Sequence, residues 1–450
     1  MIGCSMTDED LRRPLLSSSP SSRRRVRESK PVRSAHLLSL RTPDVECAFV
    51  VNFDEIKGNV VEFVYPDNKR SLVEEGGIDF RAMPSGLHTV EEDFVYFRSG
   101  SDRTVFGVAA FSSLRTGEEK RGARQRSVGF LLKEEAWLRP FLPRLSYEAR
   151  HLNEHPRDYA GIVDAFETVQ NERQDGERKG EDAAASALSV SADEKVVKSG
   201  RHTQILSSFA DVTRFYGPAI SLLRKAVLLG LRILIYSPPP IGPACERALW
   251  LSKTATTSHI DDSMRVPVLY SVSIHDIDHL SSLSSFIAVT TDKIFLEKPD
   301  LFDMSVDRQY VQLSDRFISR MTTPAQRPTV RCLRFSPDDA SEYRHFVKIV
   351  NENSQLGLNK AGPFSELDGR LEDEWKDKND LLLEELFSAS DVGRVIDGRV
   401  VVRDFSLPSS SIYFLQALSR RFHLHCDVRI NSFSLRCCSF SSPAPSLPPF

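Results

Sequence analysis

The stretch RILIYSPPPIG, Arg232 to Gly242, constrains the fold more than any other part of this chain. Ile233 to Tyr236 are four consecutive apolar or aromatic strand formers with no polar alternation. That pattern suits a strand covered on both faces, as in a parallel sheet flanked by helices. Pro238, Pro239 and Pro240 then stop it, because proline has no N–H to donate to a ladder and its φ is fixed. A helix-like run around Cys245 to Ser252 follows, so the expected unit is a strand, a stiff corner and a helix. The carboxyl end of such a strand is where open α/β sheets bind ligands. A nucleotide pocket there needs glycines for close backbone approach, and neither a phosphate loop ending in Gly-Lys-Ser/Thr nor a GxGxxG follows any strand-like run.

The flanking sequence divides into blocks. CAFVVNF and GNVVEFVYP, with DEIK and Gly58 between them, read as a hairpin, and DFVYFR (Asp93 to Arg98), TVFGVAAF (Thr104 to Phe111) and SVGFLL (Ser127 to Leu132) as further strands. EEAWLRPFLPRLSYEARHLNEH is helical in pattern, with Pro140 and Pro143 breaking its first part. Residues 44–155 are thus expected to form a five-stranded, mainly antiparallel sheet closed by a helix. Residues 156–200 read as a linker or mobile loop, because charge, Gly, Ala and Ser dominate from about 168 onward. In 201–330, a helix with Pro218 near its first turn leads into the Arg232 strand, and VPVLYSV (Val266 to Val272) and FIAVTT (Phe286 to Thr291) follow at helix-length spacing. This alternation implies a largely parallel sheet. The helix from Ala219 carries Ile220, Leu223, Val227 and Leu231 on one face and Leu222, Ala226 and Leu229 on the other, so it is expected to be covered on both sides. Residues 331–436 read as mostly helical, ending in the strand-like CDVRI.

The ends differ from the middle. Residues 1–43 are rich in Ser, Pro and Arg, with RRRVR at Arg23 to Arg27, and too poor in apolar residues to repay the entropy of ordering. They read as a disordered basic tail able to touch anionic lipid, and 437–450 as a Pro/Ser-rich tail. Across 450 residues, 59 basic and 62 acidic side chains give a net charge of -3, with no global pull toward nucleic acid. Seven cysteines lie without a disulfide rhythm, and no apolar segment resembles a signal peptide or membrane span, so a cytoplasmic protein is expected, at most peripheral on endomembranes.

Two histidine groups invite a metal reading. HDIDH, His275 to His279, sets histidines at i and i+4, yet it begins a helix rather than occupying one and has no third ligand. His423, His425 and Cys426 form one arm of a site without another, and the vicinal Cys437 and Cys438 chelate one metal poorly. No GxSxG elbow occurs either. Neither a catalytic residue, a metal site nor a cofactor is expected.

YFRSG (Tyr96 to Gly100), RGARQRSVG (Arg121 to Gly129), RILIYSPPPIG and TTDKIFLEK (Thr290 to Lys298), in this order, resemble the LCHN-type DENN-domain proteins, and SIYFLQALSRRFHLHCDV resembles their end more loosely. The region 299–400 and the tail from Ser432 match nothing in that pattern. The resemblance implies an α/β fold, a tripartite DENN module with a longin-like α+β N-terminal part, a central α/β core with a mainly parallel sheet and a helical C-terminal part. It implies guanine nucleotide exchange on a Rab-type small GTPase in membrane trafficking, by binding and opening the switch regions to release GDP. A GTPase-activating arginine finger and a non-catalytic Rab-binding scaffold are the alternatives. Arg121, Arg124 and Arg126, in a basic turn before a strand, are the candidate GTPase contacts; bracing of the first block is the competing role.

Overall fold

The computed structural model describes residues 43–86, 89–100, 103–115, 123–176, 207–259, 264–321, 327–355, 366–392, 394–396, 399–402, 411–422 and 426–428. Residues 1–42 and 437–450 of the expected tails, Arg121, His423 and His425 lie outside these residues, with Cys437 and Cys438 in the second tail, as does 177–200 of the expected linker.

The first sheet contains β1 (Val45–Asp54), β2 (Gly58–Tyr65), β3 (Glu92–Ser99), β4 (Val105–Arg115) and β5 (Ala123–Leu132), in the order β2-β1-β5-β4-β3 with antiparallel pairing throughout. The β1–β2 turn closes on Asp54, whose Oδ1 accepts from the amides of Ile56 and Lys57 at 2.9 and 2.8 Å, and on Gly58 at φ 80°. Successive side chains alternate faces. Ala48, Val50, Tyr96, Val108, Val128 and Phe130 pack into one cluster, and Cys47, Phe49, Val51, Phe97, Ala109 and Leu131 into another with Val73 and Ile78 from short helices at Arg70–Glu75 and Ile78–Arg81. Burial on both faces is why these strands read as unbroken apolar runs. On the first face lie helices α1 (Leu142–Glu154), with Pro143 in its opening turn, and α2 (Ala160–Gly176). The second helix corrects the expected linker boundary. Ile162, Ala165, Phe166 and Val169, spaced i, i+3, i+4 and i+7, are buried against the sheet.

The second sheet holds β6 (Arg232–Tyr236), β7 (Val268–Leu269), β8 (Phe286–Thr290), β9 (Met304–Asp307) and β10 (Tyr310–Leu313), in the order β10-β9-β6-β8-β7. β6 pairs in parallel with β8 and β9, β7 with β8 in parallel, and β9 with β10 antiparallel. Ile233 and Ile235 of β6 join the cluster of helices α3 (Phe209–Tyr216), α4 (Ala219–Leu228) and α5 (Gly242–Lys253); Leu234 joins Leu269, Leu280, Phe286 and Phe295 on the opposite face. The VPVLYSV run contributes only two paired residues, and the β9–β10 hairpin is an addition to the elements read from the sequence.

Beyond this sheet lie α6 (Pro337–Gln355), α7 (Glu366–Val392) and α8 (Ser411–Arg421). A small sheet of β11 (Arg394–Ile396), β12 (Arg399–Val402) and β13 (Cys426–Val428) accompanies them, so this block has strands besides the one expected at CDVRI. Helix α4 is buried on both sides, down to a buried Arg224 whose Nη1 and Nη2 donate to Asn379 Oδ1 at 2.6 Å and Glu342 Oε1 at 3.0 Å. Arg421 of α8 donates to the carbonyls of Val227 and Leu228 at the end of α4, at 3.1 and 2.6 Å, beside the left-handed Gly230 at φ 66°. One apolar cluster runs from β1 to α8.

Candidate functional site

The proline corner faces the edge strand β3, and together they form the seam where the first sheet meets the second. Ser237 makes the last ladder contact of β6, its amide donating to Thr290 O at 3.0 Å. Past the prolines, the amides of Ile241 and Gly242 donate to Asp93 Oδ2 and Oδ1 at 2.8 and 2.9 Å. Asp93 is 1% exposed, so its carboxylate sits on the N-terminal amides of α5, where the helix dipole and unsatisfied N–H groups favour an anion. That is the place a phosphate takes in a nucleotide-binding α/β sheet. Here the protein's own carboxylate fills it, which answers the question the strand and corner raise. A Cβ at Gly242 would lie 2.9 Å from Phe94 O and 3.0 Å from Asp93 Oδ1, and one at Gly86 3.0 Å from Pro239 Cγ, so the backbones on both sides of the seam approach closely.

Deeper in the seam, Glu246 of α5 accepts from Tyr96 Oη at 3.3 Å, Arg139 Nε at 3.4 Å and the Ser207 amide at 2.6 Å. Burial pushes its carboxyl up, against the pull of the Arg139 charge and the Ser207 amide. Arg139 also lies over the Trp250 ring at 4.8 Å. Near β7, Arg98 Nε donates to Val268 O at 2.7 Å, and Tyr270 Oη donates to Glu135 Oε1 at 2.9 Å. YFRSG, RILIYSPPPIG and the start of TTDKIFLEK therefore meet here: three of the four quoted motifs build a joint.

At the solvent side the seam changes character. Asp276, 2% exposed, takes Arg103 Nη2 at 2.5 Å and Arg81 Nη2 at 3.4 Å on Oδ1, and the Ser273 amide at 2.8 Å on Oδ2. Burial alone would raise its carboxyl, but the Ser273 amide and the two guanidinium groups hold it below the usual range. Phe80, beside Arg81 in the chain, is 74% exposed, and Ile274, two residues before Asp276, is 51% exposed. The HDIDH pentad is thus part of this joint: Asp276 is an ion-paired brace, and His279 is pushed down by its burial and by Arg103. Among the described residues no group of three or more His, Cys, Asp or Glu could hold a metal ion. Cys47, Cys245 and Cys332 are free and buried, each pushed up to about 12 by burial.

The candidate arginines sit elsewhere. Arg124 and Arg126 belong to strand β5, not to a turn before it. Arg126 is 6% exposed, its Nε donating to Glu62 Oε2 at 2.8 Å and its Nη1 to Leu152 O at 3.3 Å, while Arg124 Nη1 donates to Asn153 O at 2.7 Å. Both brace β5 against the end of α1, and Arg126 is withdrawn as a surface contact because a buried guanidinium cannot leave its carboxylate cheaply. Sequence reasoning missed Asp93, Arg81, Arg103, Asp276 and Phe80. The only signal for them was the closeness of Asp93 to YFRSG and of Asp276 to a strand end.

Two sheets joined at a seam that three of the four quoted motifs build agree with a DENN-domain protein. The sequence profile of DENN domain-containing protein 11 matches residues 48–317. The DENN domain-containing protein 11 of Rattus norvegicus is 33% identical over 318 residues, covering 70% of this chain and 65% of the rat protein; that of Danio rerio is 32% identical over 277 residues, covering 60% and 54%. The chain belongs to the DENN domain-containing protein 11 family, and it spans just under two thirds of the rat protein's length.

Proposed function

We propose that the protein is a guanine nucleotide exchange factor for a Rab-type small GTPase, and that it docks its partner on the outer side of the seam. Membership of the family supports the class of activity. The observation that carries the location is the Arg81–Asp276–Arg103 set of ion pairs, which joins segments next to the two sheets and has exposed apolar side chains close by in the chain, Phe80 beside Arg81 and Ile274 two residues before Asp276. Large exposed apolar groups beside charge mark protein contacts. A surface shared by two sheets offers the partner two rigid walls. Holding the switch segments of the nucleotide-free GTPase there lowers the barrier to GDP release without covalent chemistry. In this reading residues 44–155 and α2 form the longin-like part, 201–330 the core and 331–436 the downstream part of a tripartite module, and the protein works in membrane trafficking.

The test is release of labelled GDP and hydrolysis of GTP across a Rab panel, with wild type, Phe80→Ala/Ile274→Ala and Arg124→Ala. Exchange predicts faster GDP release from at least one Rab, lost in the apolar double variant. Faster hydrolysis lost only in Arg124→Ala would replace this reading with the arginine-finger alternative. Tight binding with no change in either rate would leave a scaffold.

A further inference from the structure

The charge count at the seam points to a more specific role for one residue. Asp276 is a single buried carboxylate shared by two arginines, so the ion pairs on it hold two cations to one carboxylate among the described residues. The two arginines are not equivalent. Arg103 is the tighter partner, at 2.5 Å with its side chain 15% exposed; Arg81 stands at 3.4 Å, 27% exposed, and projects from the short helix that also presents Phe80. Asp276 keeps donors if Arg81 leaves: the Ser273 amide at 2.8 Å, the Ser273 hydroxyl at 3.3 Å and Arg103. Asp79, two residues earlier on the same short helix, is at a spacing that does not make neighbours on a helix surface.

We propose that Arg81 reads an acidic side chain on the docked GTPase, exchanging its shared place on Asp276 for a carboxylate across the interface. This deepens the exchange reading and rests on it. In the free protein Arg81 is held half-ready, its guanidinium aligned by a carboxylate that does not depend on it. When the partner arrives, the apolar contacts at Phe80 and Ile274 exclude water around the new pair, which strengthens it relative to a pair in bulk solvent. Arg103 remains on Asp276, so no buried charge is stranded by the exchange. A GTPase with a neutral or basic residue at the opposing position leaves Arg81 desolvated with only its 3.4 Å share of Asp276, and is rejected. Partner selection by Arg81 follows from its looser share of a carboxylate that Arg103 and Ser273 also hold.

The experiment uses the full chain and a Rab panel with labelled GDP. On a Rab that wild type activates, Arg81→Glu is expected to lower the second-order exchange constant by about tenfold or more and Arg81→Gln by less, the loss in the docking rate falling away at high salt. Reversal of an acidic residue on that Rab to lysine is expected to restore activity to Arg81→Glu. Circular dichroism and melting of Arg81→Gln report that the fold is intact, so loss of exchange in that variant cannot be unfolding. Exchange by Arg81→Glu at the wild-type rate overturns the inference and leaves the exchange reading standing. No Rab responding to wild type overturns both. Flotation with phosphatidylcholine vesicles, with and without phosphatidylserine, supplies the other occupant: binding that needs the anionic lipid and is lost in Arg81→Glu, without an effect on exchange, assigns the seam to a membrane and overturns the inference.

Discussion

At the scale of single residues, buried charge dominates the behaviour of this protein. Arg224 is held between Asn379 and Glu342, lies 5.2 Å over the Trp375 ring and is 4% exposed. Arg224→Ala leaves Glu342 with Lys378 as its remaining cation and takes the guanidinium donor from Asn379 Oδ1, and a loss of about 1–3 kcal/mol is expected in urea or guanidinium unfolding. Burial works against Glu342, yet Arg224 and Lys378 hold its carboxyl down to about 2. Asp368, on α7, is the opposite case: burial pushes it up to about 6 although it accepts from the Phe209 amide at 2.7 Å. Because its folded value lies above the unfolded one, the ionised form costs stability at neutral pH, and that cost is relieved as pH falls from about 6 toward about 4. The stability difference between wild type and Asp368→Asn is therefore expected to shift in favour of wild type between pH 7 and pH 4.5, by on the order of 2 kcal/mol, in paired denaturation series. The sequence shows such groups as polar letters only. Arg126 reads as a basic turn in RGARQRSVG, since its partner Glu62 lies far away in the chain and nothing local announces the pairing.

At the scale of elements, α5 depends on a cap borrowed from another sheet. Asp93→Ala removes both carboxylate contacts to the amides of Ile241 and Gly242, and a loss of about 1–2 kcal/mol with faster hydrogen exchange in the first turn of α5 is expected. Gly242→Ala leaves those groups in place but drives a methyl against Phe94 O, and a loss of about 1–3 kcal/mol is expected from the displaced seam. If Gly242→Ala melts as wild type does, the close approach has no energetic consequence. The strand and corner of RILIYSPPPIG were legible from their apolar run and prolines, because that pattern is local. Helix α2 was legible in principle from Ile162, Ala165, Phe166 and Val169, but the charged sequence beyond it masked the period. The two short strands β11 and β12 sit beside Gly393 and Gly398, in a sequence too short for alternation to build up.

At the scale of the whole molecule, the common apolar cluster and the polar joint make the two sheets and the helical layer mutually dependent. Wild type is expected to unfold in one calorimetric transition, and the combined Asp93→Ala/Glu246→Gln variant to split it, as the first sheet loses its anchors on α5. Two transitions in wild type would refute that coupling. The sequence by itself determined the five antiparallel strands of the first sheet, the covered strand and stiff corner of the second, and the family, because each depends on periodicity, on proline chemistry or on short ordered motifs. Only the tertiary structure decided what those motifs do. Asp93 caps a helix 149 residues away, and Asp276 draws on Arg81 and Arg103, because chain folding converts distant letters into contacts of about 3 Å, where desolvation and charge are strongest. That is why a corner resembling a ligand pocket became a joint, and why the candidate docking surface lies on its outer side.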